Sequence, residues 1–335
     1  MGSLTKPVSV KVVGMGDYGK TFIEKLRYIN IQNTELFTVY ESIPLTQKQL
    51  DAILNALSRD ENKPTIKESN KGLSSNIDSN EEPKSEEIIE PFLKVSFIEP
   101  VEIENLKAHL TKEDLVFIVY SIVENTTTDA VASVARISKE AGALTIGVVT
   151  QPFRIDEKEQ QVRIEKVMTK HLKVIDTLIA TPIPGLISLM SKKAGLEAQF
   201  IMTEIVLTDI VKLLTNPGII QFDLEDVKTI ISDAGVGYMG FGIYQGQDRA
   251  KRAAEIAIYS LLQQIDLKEA TRILMCVSGG KDLSFSDIDI AMKLVSQKIE
   301  NHCELICGTV LIDEKPGDLI RITIIATGFR QQLNC

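Results

Sequence analysis

The sequence predicts an α/β protein: an N-terminal parallel-sheet domain, a long central helix and a smaller C-terminal α/β domain. Three observations carry this reading. Strand-like and helix-like runs alternate through the first half of the chain, as they do where helices cover both faces of a parallel sheet. Between Leu196 and Leu214 the apolar residues cover most of a helical circumference, leaving Glu197, Glu204, Thr208 and Lys212 as the main polar stripe; a helix this apolar is buried on several sides. A second alternation of helices and strands follows it. With 335 residues, 44% of them hydrophobic, the chain can fill two cores. The expected divisions are 1–195, the helix at 196–216, and 217–330.

Val8 to Val13 is a β-rich run leading into Gly14-Met15-Gly16-Asp17-Tyr18-Gly19 and an amphipathic segment from Lys20 to Ile29. A strand at Leu36 to Tyr40 ends at Glu41. Taken alone, this is the G-x-G-x-x-G dinucleotide-binding fingerprint, in which glycines admit a pyrophosphate and a carboxylate meets a ribose. A nicotinamide-type oxidoreductase on Gly14, Gly16, Gly19 and Glu41 is therefore one alternative; a tight strand-to-helix turn is the plain one. Gly235-Val236-Gly237-Tyr238-Met239-Gly240 fits the same pattern but enters a strand-like run. Residues 58–91 are polar, charged and free of aromatics, so they are expected to be a disordered insertion.

Further on, a strand is expected at Phe92 to Ile98, a helix at Ile103 to Leu110 and a buried strand at Leu115 to Tyr120. The loop Ser121 to Asp129 opens a helix to Ala141, and Ala143 to Thr150 is again a buried strand. The loops at 14–19, 121–129 and 150–156 gather at the carboxyl ends of such strands, where ligands of parallel sheets bind. Asn216-Pro217-Gly218 stops the central helix. Helices at 227–234, 248–262 and within 285–300, with strands at 239–244, 272–278, 304–312 and 319–327, complete the second domain.

A formal net charge of -9 disfavours nonspecific contact with nucleic acid or an anionic membrane, and no apolar run is long enough to span a bilayer. Cys276, Cys303, Cys307 and Cys335 form no C-x-x-C pair and follow no signal peptide; they are expected to be free thiols in a reducing cytoplasm. Cys303 and Cys307 beside His302 are weighed as metal ligands and set aside as thiols.

The runs Glu140 to Phe153 (E-A-G-A-L-T-I-G-V-V-T-Q-P-F), Asp233-Ala234-Gly235, Gly246-Gln247-Asp248-Arg249-Ala250, Gly279-Gly280-Lys281-Asp282-Leu283 and Ile324 to Phe329 closely resemble the cell-division protein FtsZ, a relative of tubulin. The matches keep the family's order over 8–42 and 101–330. The resemblance implies a Rossmann-like GTPase domain, a cytoplasmic protein, GTP or GDP as ligand with Mg2+ when GTP binds, and head-to-tail filaments. In these, one subunit's loop completes the nucleotide site of the next. That activating loop maps onto Gln221, Asp223 and Asp226; the plain reading of the two carboxylates is that they cap the following helix.

The nucleotide face departs from the family. Its glycine-rich phosphate signature reads Val123-Glu124-Asn125-Thr126-Thr127-Thr128-Asp129 here, and β-branched residues resist the positive-φ geometry a phosphate nest can require. Asp17, Tyr18 and Lys20 replace glycines of the first loop. Losing two or three charge-assisted hydrogen bonds, at ~1.5–3 kcal/mol each, weakens binding by roughly a thousandfold. Thr126 and Thr128 remain, Lys20 and Thr21 can recruit a phosphate, and Asp156 stands for an acidic residue near the ribose. An ungapped count back from Pro217 places the family's base-stacking Phe at Leu196 and its base-contacting residue at Phe200. A one-turn gap instead places Phe200 on the stacking position and Glu204 on the base edge, at the cost of shifting every later side chain. Two functions follow: a filament protein with a degenerate guanine-nucleotide site, partnering itself or a complete FtsZ, or an active GTPase with an altered phosphate loop.

Overall fold

The computed structural model describes residues 9–26, 34–40, 101–102, 106–110, 114–122, 128–150, 158–181, 192–215, 218–220, 222–312 and 318–329. All belong to one unit formed by 1–41 and 94–335. The insertion at 58–91 and the strand expected at Phe92 to Ile98 lie outside the described residues.

Strand β1 (Ser9–Met15) leads into helix α1 (Gly16–Leu26), followed by β2 (Thr34–Tyr40) and the short β3 (Val101–Glu102). Then come β4 (Asp114–Ser121), α2 (Thr128–Glu140), β5 (Leu144–Thr150), α3 (Lys158–His171) and β6 (Thr177–Thr181). The central helix α4 (Lys192–Thr215) precedes α5 (Leu224–Ile231), β7 (Gly235–Gln245), α6 (Arg249–Leu262), β8 (Arg272–Gly279), α7 (Phe285–Ser296), β9 (Glu304–Leu311) and β10 (Leu319–Thr327).

The strands form one ten-stranded sheet in the order β3-β2-β1-β4-β5-β6-β7-β10-β8-β9. Pairing is parallel from β3 through β7, antiparallel on both sides of β10 and parallel between β8 and β9. The two halves meet in the sheet itself, where Thr177 to Ala180 of β6 lie opposite Gly235 to Tyr238 of β7.

Alternation along the strands sorts two cores. Val10, Val12, Phe117 and Val119 face α1 and α4, whereas Val13, Met15, Val116 and Ile118 face α2 and α3. A third core packs α6 and α7 on β8 and β10. The central helix is buried without interruption from Ile205 to Val211, as its apolar circumference predicts. Polar residues of this helix are buried as well. Thr208 is buried and donates to the Ile205 carbonyl at 3.4 Å. Asp209, 1% exposed, pairs with Arg321 and accepts from the Thr323 hydroxyl at 2.6 Å.

Several elements differ from the sequence reading. Helix α3 and strand β6 were not expected. Among its described side chains the helix buries Ile164, Met168 and His171 within a charge-rich segment, too thin a stripe to stand out from its polar background. Residues 103–105 of the helix expected at Ile103 to Leu110 lie outside the described residues; Leu106 is helical and a 3₁₀ turn follows at Lys107–His109, with Leu106 and Leu110 buried. The helix expected at 227–234 starts three residues earlier because Asp223 caps it, and it stops before Asp233 and Gly235, which take φ of 46° and 75°. The second glycine pattern lies wholly inside β7.

Candidate functional site

Strands β1, β4, β5 and β6 run parallel, with Ser121 opposite Thr150 and Thr150 opposite Thr181. The loops after Met15, Ser121 and Thr150 therefore leave the sheet at one edge. In the first of them each glycine answers a packing demand. A Cβ at Gly14 would lie 2.4 Å from the Gly19 carbonyl oxygen, and one at Gly19 would lie 2.5 Å from that of Val119. Gly16 takes φ 69° to turn the strand into the helix. The tight-turn reading thus accounts for all three.

The residues that replace loop glycines do more than fill space. Tyr18 folds inward, 6% exposed, and stacks on Phe200 of α4 with ring centroids 4.6 Å apart and planes 2° from parallel. Its hydroxyl lies 3.0 Å from the Thr203 hydroxyl. Burial pushes the Tyr18 phenol well above its ordinary pKa, the Thr203 hydrogen bond offsetting part of the shift. Phe22 stacks on the same ring at 6.4 Å, and Lys25 Nζ lies 4.1 Å from its centroid, within cation–π range. Phe200 is itself 6% exposed. Lys20 and Thr21 stay on the surface, and the Thr21 hydroxyl donates back to the Asp17 carbonyl at 2.8 Å.

At the second loop, Thr126 lies outside the described residues, and Thr128 is described only as the first residue of α2. Asp129 places a carboxylate in the first turn of that helix, where the helix dipole favours negative charge. Lys170 of α3 pairs with it, and that hydrogen bond and charge hold the Asp129 carboxyl below the usual range. Asp156, in the third loop, is outside the described residues.

The activating-loop candidates stand apart from this edge. Gln221 is outside the described residues. Asp223 is the N-cap of α5: its Oδ1 accepts from the Asp226 amide at 2.9 Å, and Asp226 Oδ2 accepts from the Asp223 amide at 2.9 Å. The capping reading and the loop reading are thus compatible, since the reciprocal box fixes both carboxylates relative to each other.

Two interactions here escaped sequence reasoning: the Tyr18–Phe200 stack and the Asp129–Lys170 pair. Tyr18 in a glycine position is a visible signal, but its stacking partner is 182 residues away in the chain by the numbering. Elsewhere, burial pushes the Cys307 thiol up to about 12, and burial with the Glu304 charge pushes Cys303 to about 11, so both are protonated at neutral pH. His171 is fully buried, with Nδ1 2.7 Å from the Tyr120 hydroxyl.

A parallel sheet with clustered loops at one edge, a buried central helix and a mixed second half define a protein of the tubulin/FtsZ superfamily. A family model described as FtsZ family, C-terminal domain matches residues 235–330. The cell division protein FtsZ of Buchnera aphidicola subsp. Acyrthosiphon pisum is 31% identical over 336 residues, covering 99% of this chain and 82% of the relative. That of Buchnera aphidicola subsp. Baizongia pistaciae is 35% identical over 230 residues, 67% of this chain and 60% of the relative. A solved empty FtsZ dimer from M. jannaschii superposes with TM-score 0.72 at 25% identity, covering 97% of this chain and 89% of that one. The chain belongs to the FtsZ family. That membership displaces the oxidoreductase alternative, whose Glu41 lies outside the described residues.

Proposed function

We propose that this chain forms or modulates head-to-tail filaments of the FtsZ type, with a guanine-nucleotide site degenerate enough to bind GTP or GDP weakly, if at all. On this reading 1–195 is the nucleotide-type half, 196–216 the central helix and 217–330 the half that meets the next subunit. The observation that carries it is the Tyr18–Phe200 stack: the ring on the central helix nearest the first loop already holds an aromatic partner. A base stacked on Phe200 would have to displace Tyr18 or Phe22 from that ring, so on this reading no chemical step is drawn through a nucleotide in this chain's own site.

The loop with Asp223 and Asp226, by contrast, keeps the family's two carboxylates in a fixed pair. A chain with a retained loop and an altered nucleotide face suits self-assembly or co-assembly with a complete FtsZ. Binding of a fluorescent GTP analogue with magnesium, followed by light scattering and phosphate release in the same sample, tests this. Binding only at millimolar GTP, with co-assembly alongside a complete FtsZ, is expected. Micromolar binding with phosphate release overturns it in favour of an active GTPase, in which Lys20 replaces lost backbone contacts. In that event Asp226→Ala abolishes turnover and leaves binding intact.

A further inference from the structure

Strand β9 is the last strand of the sheet, and the segment between the central helix and Asp223 docks on two of its residues. The Thr309 hydroxyl accepts from the Ile220 amide at 2.9 Å and reaches the Ile220 carbonyl at 3.3 Å. The Thr309 amide donates to that same carbonyl at 3.2 Å. Gly218 presses so close that a Cβ there would lie 2.2 Å from the Thr309 carbonyl oxygen. Beside it, a Cβ on Gly308 would lie 2.6 Å from Leu213 Cδ2 and 2.7 Å from Phe222 Cδ2.

Leu213, Gly218, Ile220 and Phe222 thus all rest on one dipeptide. Immediately beyond them, the Asp223–Asp226 box and buried Val227, Ile230 and Ile231 fix the start of α5. The loop is tied on both sides of its carboxylates within a single chain.

We propose that Thr309 is a positioning residue for the carboxylate pair, and that Gly308 and Thr309 hold this loop in its working arrangement before any neighbour arrives. The inference rests on the reading of Asp223 and Asp226 as the part that meets the next subunit. It adds that this chain offers a preorganised loop, so that assembly does not have to order it. Thr309 acts through Ile220 and touches no reacting atom.

The test compares wild type, Thr309→Val and Thr309→Ser. Valine keeps the shape and removes the hydroxyl; serine keeps the hydroxyl. Amide hydrogen exchange on each single chain reports the anchor. Phosphate release in mixtures with the Buchnera aphidicola relative, at saturating GTP and magnesium, reports its use. Losing the hydroxyl is expected to speed exchange between 219 and 226 roughly tenfold, to leave β8 unchanged, and to lower turnover with KM for GTP unmoved. Serine restores both.

Unchanged exchange in Thr309→Val overturns the anchor. Faster exchange with undiminished turnover overturns the positioning role. Wild-type mixtures that neither scatter nor differ in turnover from the relative alone overturn the proposed function and the positioning role with it, while the exchange data still decide the anchor separately.

Discussion

Tyr18 shows how much one side chain can change at a glycine-rich turn. Its ring is buried against Phe200, so truncation removes both a stacked pair and the apolar area it covers. Tyr18→Ala is expected to lower stability by about 3 kcal/mol, read as a shift in the urea midpoint, and to raise affinity for a fluorescent GTP analogue by uncovering Phe200. Weaker or unaltered nucleotide binding in the folded variant would show that the ring is not what closes the site. At this scale the sequence was half legible. The replacement of glycine by Tyr18, and of the phosphate signature by Thr126, Thr128 and Asp129, could be read directly. The stack with Phe200 could not, because it depends on how the central helix rotates against α1. The two alignments of that helix give Phe200 different roles.

At the scale of elements, close approach governs the second half. Helix α6 lies on β7 so tightly that a Cβ on Gly242 would fall 2.0 Å from the Ala253 carbonyl oxygen, and one on Gly240 would fall 2.3 Å from that of Ala257. Gly242→Ala is expected to cost about 1–3 kcal/mol through forced displacement of the helix, measured by thermal unfolding. A variant as stable as wild type would mean that α6 rides away from the sheet freely. Alanine residues at 250, 253, 254 and 257 are buried on the face that admits this approach. Gly240 also belongs to the second G-x-G-x-x-G pattern; a short glycine pattern does not distinguish a ligand's approach from a helix's. Helix α3 was illegible for the opposite reason: its buried residues are few and its charges many.

For the molecule as a whole, the central helix binds the second half by charge as well as by apolar area. Asp209 is buried and holds the largely covered Arg321 and Thr323 of β10. Arg321 Nε has no hydrogen-bond partner among the described residues. Asp209→Ala strands the guanidinium, and a loss of about 3–5 kcal/mol in urea unfolding is expected.

One turn earlier on α4, burial raises the Glu204 carboxyl above its ordinary pKa, against the pull of Arg321 and Lys212 and with a push from Asp209. A carboxyl raised in the folded state holds its proton more tightly there than in the unfolded chain. Its contribution therefore falls as pH rises from the ordinary carboxylate value through the folded one. Glu204→Gln should flatten that limb of the stability–pH curve; an unchanged slope would assign it to other groups.

The apolar breadth of the helix is plain in the sequence, but the burial of Asp209 is not, because its partners Arg321 and Thr323 lie far along the chain.

The seam between β6 and β7 has its own bearing on how the chain can be divided. Because the halves share backbone hydrogen bonds from Thr177 to Ala180, neither can be cut free with a finished border. A fragment beginning after the central helix would present the flank of β7 as a bare strand, open to any chain able to pair with it. The same holds for β6 in the other piece. Continuity of the sheet thus keeps these two strand flanks from pairing with another chain.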